Sequence, residues 1–233
     1  MIDDNAILKN DIEIVDDMEE STEQKAILPK GFVYITDISP SIKVDLKYAT
    51  TDNFTTKVVP GYNSASAAIA TKEAAIALKN VQNELNTLGL GLKVFDSYRP
   101  HRAAQYFKKW CLNGEDDPVI KARFYPDIKK ADLLNGYIAE HSGHSRGSTI
   151  DVTAVNLETG KELDMGTEFD FLGEESHTKS TLISDSAQAN RQLLVDVMDK
   201  HGFDNYRKEW WHFELRDEPF KRKPEDHFDF VVE

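Results

Sequence analysis

The sequence predicts an α+β domain: a central antiparallel sheet flanked by helices. Two observations carry that prediction. Stretches with helical periodicity and stretches with strand alternation follow one another without a regular strand–helix–strand rhythm, the pattern of α+β rather than doubly wound folds. The chain has 233 residues, 40% apolar and 10% aromatic, enough to bury one large core.

Each element has its own signal. Residues 1–30 hold nine acids and three bases, so −6 of the total charge of −13 sits there. High charge with few aromatics reads as a partly disordered acidic extension. Pro29-Lys30-Gly31 punctuates the chain, and the β-rich run Phe32-Val33-Tyr34-Ile35 opens a folded domain over 31–233. Thr71 suits the cap of a helix over 71–88, with Leu78, Val81, Leu85 and Leu88 on one face and Gly89 as its stop. Residues 92–96 follow as a strand. Pro100 then starts a helix through Ala103, Tyr106, Phe107 and Trp110, which leaves Arg99 at a strand-to-helix turn. Residues 148–154 alternate, placing Thr149, Asp151 and Thr153 on the polar face of a half-buried strand. A helix over 184–201 turns Leu193, Leu194, Val197 and Met198 inward and stops at Gly202. In a last strand Trp211, Phe213 and Leu215 alternate with His212 and Glu214.

Charge and composition exclude several classes. A pI near 5.0 opposes nucleic acid or an anionic membrane surface as the main partner. No apolar run approaches the roughly 20 residues of a membrane-spanning helix. The acidic amino terminus is unlike a secretory leader, so the chain as given reads as cytoplasmic; a leader removed earlier would make it exported or periplasmic. Cys111 is the single cysteine and closes no intrachain disulfide, so a metal would fall to histidines and carboxylates. Its setting beside Trp110 in an amphipathic helix suits an inert packed thiol.

Seven histidines are present. His144 stands in Ser142-Gly143-His144-Ser145-Arg146-Gly147, a glycine-punctuated approach to the strand carrying Asp151. Such a loop can fold its imidazole over the polar face on which Asp151 stands, giving two of the three protein ligands of a catalytic zinc. Glu209-Trp210-Trp211-His212 offers the third in His212, which points away from the apolar positions. Glu209 lies three residues earlier. On a straight strand it would face the other side, so it joins the site only if the chain bends at Glu209-Trp210. A carboxylate so placed could serve as general base and acid, and Arg99 could steady an oxyanion. From spacing alone ordinary roles stay open: a turn histidine, a strand carboxylate bonded to a backbone amide, a packed tryptophan pair, a strand-end arginine paired with a surface acid. His141, three residues before His144, would compete as a ligand only in a helix, which Ser142-Gly143 and Gly147 oppose. No His-Glu-x-x-His, Gly-x-Ser-x-Gly or Walker pattern offers a rival chemistry.

At these residues the chain resembles the D-alanyl-D-alanine dipeptidases, a family of zinc peptidases. The resemblance runs from about Phe32 to the end, through Tyr48-Ala49-Thr50, Asp52-Asn53-Phe54, Gly61-Tyr62, Asp96-Ser97-Tyr98-Arg99-Pro100, Ser142 to Asp151, Met165-Gly166, Phe169-Asp170-Phe171 and Glu209 to Pro219. It implies one Zn2+ held by His144, Asp151 and His212, with Glu209 as general base and acid and Arg99 steadying the transition state. It further implies a small closed pocket for a free dipeptide, in which an acid meets the ammonium and polar donors meet the carboxylate. Asp170, Ser142 and Tyr48 match positions of those contacts. Thr149 stands where the family's zinc motif commonly has Ala, and the acidic first 30 residues have no counterpart in short family members. The expected activity is hydrolysis of D-alanyl-D-alanine, in cell-wall peptide metabolism and antibiotic resistance or in dipeptide recovery. The alternatives are a carboxypeptidase trimming longer wall peptides and a non-catalytic zinc-containing binding protein of the same fold. The oligomeric state is not legible in the sequence.

Overall fold

The computed structural model describes residues 26–220, 223 and 226–233. The acidic extension expected over 1–30 therefore lies outside the described residues except for its last five. In chain order the elements are β1 (Phe32–Tyr34), α1 (Ile35–Ile38), β2 (Lys43–Val44), β3 (Ile69–Thr71), α2 (Lys72–Asn86), β4 (Leu90–Asp96), α3 (His101–Leu112), α4 (Pro118–Phe124), β5 (Thr149–Asn156), α5 (Asp185–Lys200), β6 (Phe203–Asn205) and β7 (His212–Leu215). β1 and β3 form an antiparallel pair, and the other strands make one sheet in the order β2-β4-β5-β7-β6.

The main sheet departs in one respect from the antiparallel expectation. β4, β5, β7 and β6 each run antiparallel to their neighbours in that order, but the two-residue edge strand β2 runs parallel to β4. The chain between them carries β3 and α2, a crossover long enough for parallel pairing. Such a short edge strand leaves no alternation to read.

Capping decides where the long helices begin. The Thr71 side chain accepts the Ala74 N–H and that of Ser184 accepts the Ala187 N–H, each a cap worth about 1 kcal/mol. α2 ends at Asn86, two residues short of the expected stop, so Leu88 drops out of the apolar series and is 54% exposed. Gly89 adopts the left-handed conformation beyond that end, φ 72°. Helix α5 buries Leu194, Val197 and Met198, while Leu193 is only half buried.

Strand β5 is the spine of the molecule. The sequence predicted one polar, half-exposed face; instead residues 149–155 are all buried, with β4 and β7 paired on either side, Thr149 packed against Gly143 and Asp151 lining a cavity. Polar side chains buried on a central strand mark a site rather than a surface. Cys111 is buried and its thiol is pushed up to about 12, chiefly by burial, as befits an inert packed residue. No helix among the described residues is long and apolar enough to cross a membrane.

Candidate metal and catalytic centre

Sheet register assembles the centre. Asp151 lies opposite His212 on β7 and opposite Asp96 on β4, so three polar side chains form one row across the middle strands. The row depends on a register shift between Val94 and Asp96, a bulge that re-aims the end of β4. His144 reaches the row from the 3-10 turn Gly143–Arg146 just before β5. Gly147 ends that turn at φ 79°, and a methyl group there would run into the Phe32 ring. Only glycine meets both demands.

Ligand atoms of His144, Asp151 and His212 all lie within 4.8 Å of one another. His144 Nδ1 sits 2.8 Å from the Ser97 carbonyl oxygen, so this nitrogen carries the proton and donates, leaving the Nε2 lone pair to face the centre. That Nε2 is 3.3 Å from His212 Nδ1 and 3.4 Å from Asp151 Oδ2. Asp151 Oδ1 is buried without a hydrogen-bond partner of adequate geometry, although His212 Nδ1 is 3.1 Å away. Two imidazole nitrogens and an orphaned buried carboxylate oxygen aimed at one point form the donor set that a divalent cation satisfies. Burial pushes the Asp151 carboxyl up, but the facing His144 and His212 rings outweigh it and hold the group well below the usual carboxylate range. The same attraction from Asp151 raises His212 against the opposing effect of burial.

The expected bend at Glu209-Trp210 is present. The Glu209 N–H donates to the Tyr206 carbonyl and the His212 N–H to that of Glu209, so a turn precedes β7 and puts Glu209 Oε2 3.5 Å from His212 Nδ1. Glu209 is 7% exposed, and burial raises its carboxyl to about 7, with His212 pulling the other way. A carboxyl that exchanges its proton near neutrality suits general acid–base work.

Arg99 completes this side. Its Nε donates to Asp96 Oδ2 at 2.9 Å, its NH2 lies 2.8 Å from the same oxygen, and its guanidinium carbon lies 5.1 Å from the ring centres of both Tyr48 and Phe107. Burial opposes its charge, but the Asp96 carboxylate more than compensates. Asp96 also accepts from the Tyr62 hydroxyl at 2.7 Å. The sequence reading passed over Asp96, Tyr62 and the Ser97 carbonyl as parts of the centre. Their signal was present in Asp96-Ser97-Tyr98-Arg99, but without the bulge nothing in it says which way Asp96 points.

Asp170, Ser142 and Tyr48 line the same cavity, of about 270 Å³. That is below the roughly 300–1,000 Å³ of pockets for drug-sized ligands and suits a small molecule. Asp170 is 5% exposed, sits at φ 64°, and forms no ion pair among the described residues. The Tyr48 hydroxyl reaches both its oxygens, at 3.0 and 3.1 Å, so Tyr48 is committed to Asp170. Burial, with the charge of Asp151 adding to it, raises the Asp170 carboxyl well above its ordinary value. The loop around Asp170 is tied down from below. Buried Arg191 of α5 donates to the carbonyls of Met165, Glu175 and His177, and Trp210 Nε1 donates to Thr167 Oγ1. Thr149 is buried beneath Gly143, off the row of candidate ligands.

Three side chains able to hold a metal ion, beside a buried carboxyl and a clamped arginine and lining a small cavity, make an arrangement that suits a metal-dependent hydrolase. Comparison with known proteins narrows the class: the profile of the M15 peptidases described as D-ala-D-ala dipeptidase matches residues 29–233, and the chain belongs to that family. It is 42% identical to a D-alanyl-D-alanine dipeptidase of Enterococcus faecalis (strain ATCC 700802 / V583) over 88% of this chain and 100% of the relative. A D-alanyl-D-alanine dipeptidase of Enterococcus faecium is 41% identical over 87% of this chain and 98% of the relative, and one of Streptomyces coelicolor (strain ATCC BAA-471 / A3(2) / M145) is 40% identical over 86% and 98%.

Proposed function

We propose that the protein is a zinc-dependent dipeptidase that hydrolyses D-alanyl-D-alanine to two D-alanines. The observation that carries the reading is Asp170: a buried carboxyl without an ion pair, sharing one small cavity with the His144, Asp151 and His212 group. Zinc held by His144 Nε2, Asp151 and His212 Nδ1 would supply Lewis acidity and lower the pKa of a water in its open position.

The chain's own groups do the rest. Glu209 accepts the proton of the attacking water and then delivers it to the amine nitrogen of the departing D-alanine. Arg99, clamped by Asp96, keeps a permanent positive charge beside the developing oxyanion. Asp170 receives the substrate ammonium, and Tyr48 holds Asp170 in place rather than meeting the carboxylate itself. Ser142, whose hydroxyl makes no capping bond to the turn that it precedes, donates to the substrate carboxylate. A peptide extended at its amino end would place an uncharged amide against Asp170, leaving that carboxyl buried without a cation.

The test compares zinc-loaded protein on D-alanyl-D-alanine and on its N-acetylated form, with metal counted in the same sample. Turnover of the free dipeptide with little of the blocked one is expected. Faster cleavage of the blocked form would move the assignment to a carboxypeptidase acting on longer wall peptides, and bound zinc with no turnover of either would make the protein a binder.

A further inference from the structure

Three histidines outside the candidate centre meet on one flank of it. His101 opens α3, His141 lies three residues before His144, and His227 comes from the C-terminal segment. The ring centres are 5.4 Å apart for His101 and His141, 5.9 Å for His101 and His227, and 5.1 Å for His141 and His227. Three imidazoles holding one tetrahedral ion, each through a nitrogen at about 2.0–2.1 Å, have ring centres roughly 5.2 Å apart. The trio already stands close to that spacing.

Two further observations point to a ligand. His227 Nε2 is buried with no hydrogen-bond partner, and so is His101 Nδ1, a state rare among polar groups in folded proteins; the Gln105 amide 3.3 Å from His101 Nε2 leaves the proton on Nδ1 in the metal-free chain, so a metal there takes the other tautomer. His227 Nδ1 lies 3.0 Å from the Lys223 carbonyl, to which it donates, so the orphaned Nε2 carries the lone pair. His144 is oriented toward its own centre in the same manner, through the Ser97 carbonyl. Burial, together with the neighbouring His141 and His227, lowers the pKa of His101, which favours the neutral form that ligates.

We propose that His101, His141 and His227 form a second site, for a divalent transition metal, that clasps the C-terminal segment onto the start of α3 and the loop leading into His144. An all-imidazole set suits Zn2+, Ni2+ or Cu2+ and excludes the hard, oxygen-seeking Mg2+ and Ca2+. Among the described residues only His144, Asp151 and His212 already bring three ligand atoms within 4.8 Å, so metal binding at the second site requires its rings to turn, and His141 is the exposed one of the three.

The experiment titrates Zn2+ into the metal-stripped full chain by equilibrium dialysis and counts bound metal by atomic emission. Wild type binds two equivalents, while His141→Gln and His227→Gln each bind one. The second dissociation constant weakens in these variants by more than the roughly 10–100-fold that loss of a mere outer partner costs. His212→Ala keeps the equivalent that the His141 and His227 variants lose, so failure of this site is distinguishable from failure of the catalytic one. His141 is exposed, and its replacement leaves the core intact. A single equivalent in wild type, or two that survive both glutamine variants, overturns the proposal.

Discussion

Replacing Asp170 by Asn separates what the centre needs for binding from what the fold needs for stability. The change keeps size and shape. Asn tolerates the left-handed backbone that Asp170 occupies at φ 64°, and the Tyr48 hydroxyl can donate to its oxygen while accepting from its amide. What disappears is the carboxyl that would release its proton and pair with the substrate ammonium. Removing one member of a buried, hydrogen-bonded charge pair costs about 2–5 kcal/mol, so kcat/KM for the free dipeptide should fall about 30- to 4,000-fold, at about 1.4 kcal/mol per decade. Stability should move the other way. Without substrate, burial and then Asp151 raise the Asp170 carboxyl well above its ordinary value, so the folded chain keeps a proton that the unfolded chain has already released. Stability of the wild type therefore falls as pH rises from about 4, the unfolded value, through the raised folded value. Asp170→Asn escapes that loss. Its Tm advantage over wild type in thermal unfolding should be near zero at about pH 4 and widen toward neutrality. A kcat/KM loss under tenfold, or a Tm advantage that narrows with rising pH, would refute the reasoning.

Three other outcomes follow from the same geometry. Glu209→Gln preserves shape while removing the group that moves the proton; kcat should drop by about 10²–10⁴-fold with zinc still bound, measured by turnover and metal analysis on one sample. Stripping the metal with a chelator should abolish turnover and added Zn2+ should restore it, whereas His212→Ala should recover neither full metal binding at the centre nor activity. Gly147→Ala puts a side chain at φ 79° and against the Phe32 ring; left-handed strain of about 1–2 kcal/mol and overpacking of about 1–3 kcal/mol should lower Tm by at least about 4 °C.

Local signals were legible where one residue's chemistry suffices to set local structure. Thr71 and Ser184 announce their helices because a hydroxyl placed before an apolar periodic run has one obvious backbone partner. The loop into His144 is readable from its glycines, and the turn at Glu209-Trp210 follows from asking how residues three apart could share one side. Leu88 shows where this reading ends: periodicity alone does not say that α2 stops at Asn86. The parallel edge strand β2 was equally beyond reach, since two residues carry no period.

What the sequence determined by itself was the inventory: two imidazoles, an aspartate, a glutamate and an arginine in segments able to present them. Tertiary structure decided their company. A bulge brings Asp96 into line with Asp151 and hands Arg99 its clamp, the Ser97 carbonyl chooses the tautomer of His144, and Tyr48 spends its hydroxyl on Asp170. These are pairings between residues 3 to 122 positions apart, set by register and burial rather than by any local pattern. Local preference can place a side chain on an element, but only packing across the sheet fixes what it faces and which charges it must hold.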